Sequence, residues 1–117
     1  LRVIHEVMET NTQLIANKTA WQDPRKREKI QQIAQLLQGA LVADQMVGIK
    51  MNVPENKIPK IVSLLPSLNA PTIAGLYQSD WYSVESIITT KYVRDLIPQL
   101  LRQGAEGIIE YPLNKVL

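Results

Sequence analysis

The sequence lacks cysteine and phenylalanine altogether, and its single histidine is His5. Without cysteine the chain cannot form disulfides, zinc ribbons or iron–sulfur clusters, and thiol catalysis is excluded. A metal site or a catalytic group needs several partner residues, so we interpret the lone His5 as an ordinary strand residue. The sequence also has no Gly-rich phosphate loop. We therefore predict no catalytic residue and no metal ligand in this chain.

Neither sign of charge is in clear excess, and the apolar runs are short. Thirteen basic and eleven acidic residues leave a net charge of +2, of which residues 1–45 and residues 46–117 carry +1 each. Nucleic-acid binders usually carry a basic stripe or face, so this balance argues against one. No apolar run approaches the roughly 20 residues of a membrane span, and no signal-peptide pattern opens the chain.

The composition that remains is that of one folded domain. The chain has 117 residues, of which 45% are hydrophobic and 21% charged. A chain of this size buries about two-thirds of its unfolded surface, which suffices for a core without crosslinks. Because the sequence begins with Leu1 and not methionine, we expect a piece of a longer protein.

The first 45 residues predict a strand-like start and then one long helix. We interpret residues 1–17 as the end of another unit, with a strand remnant at Leu1 to Ile4. Asp23 is a favoured helix N-cap and Pro24 suits the first helical position. Apolar residues then recur every three or four positions as far as Asp44, which predicts a connector helix. They are Ile30, Ile33, Ala34, Leu37, Ala40 and Leu41.

From Met46 the apolar period changes from three or four to two, which indicates a strand. Pro59 fits the first turn of the helix that follows, and Gly104 suits the end of the last helix. The predicted order is strand, helix, strand, strand, helix, strand, over 46–53, 55–65, 72–76, 81–89, 90–103 and 107–111. This is the ferredoxin-like βαββαβ order of an α+β fold. Two helices would cover one sheet face, leaving the other for solvent, a neighbouring domain or a second subunit.

Three classes of function are compatible with this order. An RNA-recognition module would stack bases on aromatic residues of its central strands, but the first strand has none and Tyr82 is the lone candidate. A module that only drives assembly would need no pocket. A regulatory module would bind a small molecule, and pockets form readily at domain and subunit junctions.

Residue chemistry alone proposes a few ligand contacts and leaves each one open. The amide of Asn52, at the end of the first strand, both donates and accepts, but Asn52 is equally suited to cap the next helix. Thr72 opens the second strand beside a bend at Pro71 and could be a plain strand residue. Gly107 would let a ligand approach the backbone closely, or it could serve a tight turn into the last strand.

Five short motifs occur in order: Lys50 to Glu55, Leu64 to Leu68, Ala70 to Thr72, Asp80-Trp81 and Gly104 to Ile108. Together they resemble the C-terminal regulatory domain of the long-form ATP phosphoribosyltransferase family. The run before the long helix resembles the end of that family's catalytic part. The resemblance covers almost the whole chain. It implies a catalytic-domain remnant at 1–22, a connector helix at 23–45 and a ferredoxin-like regulatory domain at 46–117.

The resemblance also implies a function for the whole enzyme. Members of the family combine ATP with phosphoribosyl pyrophosphate, using magnesium, to give phosphoribosyl-ATP and pyrophosphate in the first step of histidine biosynthesis. The C-terminal domain carries feedback inhibition by histidine and helps convert dimers to hexamers. The family's pyrophosphate-binding loop would precede Leu1. We therefore expect a cytoplasmic homo-oligomer with no nucleic-acid or membrane partner, whose magnesium and catalytic residues lie outside this chain.

Four positions match the family's histidine pocket, which lies between regulatory domains. They are Asn52, Leu68, Thr72 and Gly107. Some relatives have an acid at the position of Asn52, where it would pair with the ammonium group of the ligand. Asn52 offers only a neutral acceptor, which forms a weaker bond than a charged one. The resemblance therefore implies a histidine site in which this contact is uncharged.

Overall fold

The computed structural model describes residues 2–66 and 68–117, so the predictions that fall on Leu1 and Ser67 lie outside the described residues. Residues 2–17, as far as they are described, contain neither helix nor strand, and their side chains are exposed. The predicted strand remnant is therefore wrong for the described residues up to Ile4. A strand is stabilised by hydrogen bonds to a neighbouring strand, and the sheet contains no strand from this segment.

A short helix that the sequence analysis did not predict, α1, spans Lys18–Gln22. Asn17 caps it, because the side-chain oxygen accepts hydrogen bonds from the backbone N–H groups of Thr19 (2.8 Å) and Ala20 (3.3 Å). These bonds satisfy two of the donors that every helix start leaves unpaired.

The predicted long helix is confirmed as α2, Pro24–Asp44. Asp23 caps it as expected, its Oδ1 atom accepting from the amides of Arg25 (3.0 Å) and Lys26 (3.4 Å). The apolar stripe along the helix is largely exposed. Ile33, Leu37 and Leu41 are 47%, 51% and 70% exposed.

The chain divides into two compact units inside α2, one ending at Gln35 and the other spanning Leu36–Leu117. The finer division at residues 22 and 45 stays a prediction. In the second unit, Gly39 of α2 is buried and its carbonyl accepts a 2.9 Å hydrogen bond from the amide of Val116. A Cβ at Gly39 would overlap the end of the Leu117 side chain and lie 3.1 Å from the carbonyl oxygen of Val116, so the glycine eases this approach of the chain end.

Beyond α2 the element order agrees with the prediction. The elements are β1 Met46–Pro54, a short 3₁₀ turn Glu55–Lys57, α3 Ile58–Leu64, β2 Thr72–Gly75, β3 Trp81–Thr89, α4 Thr90–Arg102 and β4 Glu106–Pro112. Pro59 lies in the first turn of α3, where its missing N–H costs no helical hydrogen bond. The four strands form one sheet in the order β2-β3-β1-β4, and every neighbouring pair is antiparallel. This is the ferredoxin-like arrangement predicted from the sequence.

The core lies between one face of this sheet and helices α3 and α4. Alternate residues of β1 and β3 point into it because side chains alternate across a strand. Helices α3 and α4 contribute an apolar stripe each. The most deeply buried side chains are Ile49, Met51, Val53, Ile61, Val84, Ile88 and Leu100.

Gly104 ends α4 as predicted, in a left-handed conformation with φ of 95°. The Gly104 amide donates to the carbonyl of Leu101, and the Ala105 amide donates to that of Leu100, both at 3.0 Å. This pair of bonds is the Schellman motif, which satisfies the last helical carbonyls and turns the chain toward the next strand. It leads directly into β4.

Candidate functional site

The face of the sheet opposite α3 and α4, called the open face below, carries Asn52 and Thr72. Leu68 and Gly107 lie next to it. Residues directly paired across antiparallel strands share a face. Thr72 pairs with Glu85 and Glu85 with Lys50, and Lys50 pairs with Ile109. One row of side chains therefore crosses all four strands on the open face.

Tyr111 is the largest side chain placed over this face near the row. It pairs with Gly48 of β1, and a Cβ at Gly48 would overlap the Tyr111 ring. The ring therefore lies flat over the glycine and reaches across β1 toward β3. A glycine inside a strand commonly marks such a close approach.

The hydroxyl of Tyr111 donates a hydrogen bond to Oε1 of Glu85 on β3. This bond raises the pKa of Tyr111 above the usual tyrosine value, and partial burial and the negative charge of Glu85 act in the same direction. Losing the phenolic proton would remove the donor and place two anions together. Tyr111 therefore stays protonated and holds the Glu85 carboxylate in place.

A cavity of about 290 Å³ opens beside this pair, between the segment before β2 and the edge of β3. The amide of Leu68 donates to the carbonyl of Ile87 (3.2 Å), which fixes the segment against β3. The described residues that line the cavity are Leu68, Asn69, Ala70, Thr72, Glu85, Ser86, Ile87 and Tyr111. Two predicted contacts, Leu68 and Thr72, are therefore brought together at one cavity.

The other two predicted contacts, Asn52 and Gly107, meet elsewhere on the open face, where β1 pairs with β4. The pairing of β1 with β4 shifts between Lys50 and Asn52, and Gly107 lies at this bulge with φ of 58°. A Cβ at Gly107 would lie 3.6 Å from the Nδ2 atom of Asn52. The exposed Asn52 amide and the bare Gly107 backbone thus adjoin one another.

The sequence left open whether Asn52 caps the next helix, and the structure answers this question. The 3₁₀ turn after β1 begins after Pro54, and no side chain caps it. Asn52 is therefore an exposed strand residue, and the interpretation as a helix cap is wrong. Thr72 is the first residue of β2, so it is a strand residue whose position also lines the cavity.

One chain does not bring the two pairs to a single point. Asn52 pairs with Ser83, and Ser83 pairs with Ala74, two residues beyond Thr72. With strands about 4.8 Å apart and residues about 3.4 Å apart along each strand, Asn52 and Thr72 are separated by about 12 Å. The two pairs are therefore separate places on the open face of one chain.

The RNA-recognition alternative depended on Tyr82 of β3. Tyr82 pairs with the fully buried Val53, so it lies on the helix-covered face, and its hydroxyl is 3.5 Å from Oε1 of Glu55. Base stacking requires aromatic rings displayed on the free face of the sheet. The alternative therefore loses its candidate residue.

Glu85 and Tyr111 are the site residues that the sequence analysis missed. Gly48 inside a strand was the available signal, since it marks a close approach. The partner that approaches could not be identified, because it depends on the register between β1 and β4.

Within residues 2–66 and 68–117, histidine, aspartate and glutamate side chains do not gather in threes as a metal site requires. Among the described helices, none combines the length and the apolar character needed to cross a bilayer.

The fold and the open face define the class of protein. It is a ferredoxin-like α+β domain with a cavity of about 290 Å³ at the sheet face that its helices leave uncovered. The family described as "HisG, C-terminal domain" matches residues 43–115, and the chain belongs to this family. Over its full length the chain is 62% identical to the ATP phosphoribosyltransferase of Desulfosudis oleivorans and to that of Desulfatibacillum aliphaticivorans. It is 56% identical to the one from Geotalea uraniireducens. The chain spans about 40% of the length of each of these relatives.

Proposed function

We propose that this chain is the C-terminal part of an ATP phosphoribosyltransferase and that its ferredoxin-like domain binds histidine as a feedback inhibitor. The family match and the names of relatives 56% to 62% identical over the whole chain support the enzyme class. The reaction joins ATP to phosphoribosyl pyrophosphate with magnesium, in the cytoplasm. Its catalytic and magnesium-binding residues belong to parts of the enzyme that this chain does not contain.

The observation that carries the histidine site is the arrangement of the predicted contacts in two pairs. Leu68 and Thr72 line the cavity. Asn52 lies about 12 Å from Thr72 on the same open face and adjoins Gly107. Two pairs separated in this way on one face suit a site that takes one pair from each of two copies. We therefore place the site between two domains, with Asn52 and Gly107 of one copy facing Leu68 and Thr72 of its neighbour.

Each contact has a distinct chemical part in this site. Leu68 is 53% exposed and offers apolar surface to the imidazole ring. The Thr72 hydroxyl and the Asn52 amide both donate and accept hydrogen bonds. Gly107 has no side chain, so the ligand can approach its backbone closely.

A site between two copies couples ligand binding to assembly. Each pair of contacts is one half-site. Histidine then binds only the arrangement in which the half-sites of two copies meet, so it shifts the subunits toward that arrangement. Inhibition follows if the hexamer that histidine favours is less active than the dimer. By linkage, assembly raises the affinity for histidine by the same factor by which histidine favours assembly.

The test combines thermal melting with sedimentation of the 117-residue chain, with and without histidine, with alanine as the ligand control. A ligand at 100 times its dissociation constant adds about 2.7 kcal/mol to the folded form, so we expect a rise of several degrees with histidine alone. We also expect a larger assembled fraction. Thr72→Ala and Asn52→Ala should both remove the response, while Thr12→Ala and Asn114→Ala, at exposed positions outside the site, should keep it.

Absence of binding both in this chain and in the full-length enzyme would contradict the proposal. The second candidate is a module that drives assembly without a ligand. Ile109 and Ile73, 57% and 42% exposed on β4 and β2, are apolar surface of the kind that assembly buries. This candidate predicts the same assembled fraction with and without histidine.

A further inference from the structure

The cavity on the open face has a charged group on its wall that the predicted contacts do not include. Glu85 lines the cavity and pairs directly with Thr72 of β2. Side chains paired in this way have Cβ atoms about 5 Å apart. Any ligand in contact with the Thr72 hydroxyl is therefore also within reach of the Glu85 carboxylate.

Glu85 is held in one position. Its Oε1 atom accepts the hydrogen bond from Tyr111, whose ring is seated over Gly48 on the neighbouring strand. A carboxylate has about four acceptor positions, so this bond leaves Glu85 able to accept from a ligand. An acceptor fixed beforehand loses less side-chain entropy when a ligand binds.

Lys50 is the cation nearest to Glu85 in the sheet, but it does not take the place of a ligand cation at the Glu85 carboxylate. Lys50 pairs with Glu85 from the β1 side, and its side chain is exposed. Attraction between an exposed lysine and a carboxylate is weak because water screens both charges. A ligand ammonium group enclosed in the cavity would be screened less.

We propose that Glu85 accepts the ammonium group of the bound amino acid and that Tyr111 is the positioning residue that holds Glu85 for this contact. The inference rests on the proposed function and deepens it. It supplies the negative charge that the neutral Asn52 lacks, from a different strand and from the half-site that contains Thr72. The site is thereby selective for ligands with a cationic amine.

The test compares histidine with 3-(imidazol-4-yl)propionate, which is histidine without its amino group. Binding is measured by calorimetry on the 117-residue chain at about pH 7.5, where the imidazole of the ligand is largely neutral. The wild-type chain should prefer histidine by about 10- to 100-fold, the range expected for a hydrogen bond between charged groups. Glu85→Gln should bring the ratio close to one while the propionate still binds.

Tyr111→Phe keeps the ring over Gly48 and removes only the hydroxyl. The histidine preference should fall by several-fold but not vanish, because Glu85 stays charged without being held. Glu110→Gln is the matched control, since Glu110 is exposed and pairs with Ile49 on the other side of the sheet. It should leave the ratio unchanged. Glu85→Asp, which keeps the charge on a shorter side chain, gives a second measure if Glu85→Gln folds poorly, and its ratio should be intermediate.

The outcomes separate this inference from the proposed function. If neither the 117-residue chain nor the full-length enzyme binds either compound, both are wrong. If it binds histidine and Glu85→Gln keeps the wild-type preference, the proposed function stands and the role of Glu85 is wrong. A ratio that falls in Glu85→Gln and Tyr111→Phe but not in Glu110→Gln supports the inference, because a purely structural role would weaken both ligands equally.

Discussion

The two faces of the sheet are built from the same strands and differ in what they do. On the helix-covered face, Ile49, Val53 and Val84 are fully buried and pack against α3 and α4. On the open face, the neighbouring positions along those strands carry Lys50, Asn52 and Glu85. Because side chains alternate along a strand, one face can be buried in the core while the other keeps polar groups exposed. We therefore expect exposed positions of the open face to tolerate substitutions that the core does not.

The largest expected effect comes from truncating the covered face. Ile49→Ala should lower the free energy of unfolding by about 2–5 kcal/mol, because it removes buried methyl groups and leaves a cavity. Ile109→Ala on the open face should change it by no more than about 0.5 kcal/mol, since Ile109 is 57% exposed. Urea unfolding of both variants provides the measurement. Equal losses would show that the open face is packed as tightly as the helix-covered face, which would contradict the difference between them.

The next effect tests a crowded place on the open face, at Gly48. A Cβ at Gly48 would overlap the Tyr111 ring, so Gly48→Ala should cost about 1–3 kcal/mol as the ring is displaced. Gly75→Ala is the control, because its Cβ would lie at an ordinary 3.8 Å from the Tyr82 ring. Denaturant unfolding of these variants gives the costs.

The same Gly48→Ala substitution in a Tyr111→Ser background should be close to neutral, because the overlapping ring is gone. A cost that persists without the ring would show that Gly48 is required for a reason other than Tyr111.

A smaller effect distinguishes binding from stability at two glycines. Gly107 and Gly104 both have positive φ, 58° and 95°, so alanine at either position should cost about 1 kcal/mol of stability. Only Gly107→Ala should also weaken histidine binding, since only Gly107 adjoins Asn52. Unfolding and calorimetry on both variants provide the two readouts. Equal loss of histidine binding in both would assign the effect to the backbone and not to the site.

The smallest expected effect is a pH dependence of Tyr111. Its pKa is raised in the folded state, so the folded state binds this proton more tightly than the unfolded chain does. The associated stability is fully present below the ordinary tyrosine pKa of about 10 and is lost as the pH rises above it. Between about pH 9 and pH 11, Tyr111→Phe should therefore lose less stability than the wild type. Tyr77→Phe, at an 88% exposed position, is the control and should behave as the wild type does.

The sequence predicted local features well and arrangements across strands poorly. The alternation of Val47, Ile49 and Met51 is enough to predict β1 and its buried face, because the period of a strand is a local property. The caps at Asp23 and Gly104 were likewise predictable, since each acts on the turn beside it. The strand expected at the start of the chain was wrong because a strand depends on a partner that local pattern does not reveal.

The candidate site shows the same limit. Residue chemistry left Asn52, Thr72 and Gly107 as open candidates, and the family resemblance selected them together with Leu68. Their division into two pairs came only with the register of the sheet. The bond between Tyr111 and Glu85 crosses β1 and joins two strands that are not neighbours. No spacing in the sequence encodes that distance, so this part of the site required the structure.

The hydrogen bond from Val116 to Gly39 also has a kinetic consequence. Its two residues stand near opposite ends of the Leu36–Leu117 unit, so forming it closes a loop that contains the whole sheet. Contacts between residues so far apart in sequence are favoured only after the intervening chain has become compact. We therefore expect the bond to form late in folding and to open without unfolding of the sheet. Hydrogen exchange at the Val116 amide reports this local opening, while the amides of β1 report global unfolding.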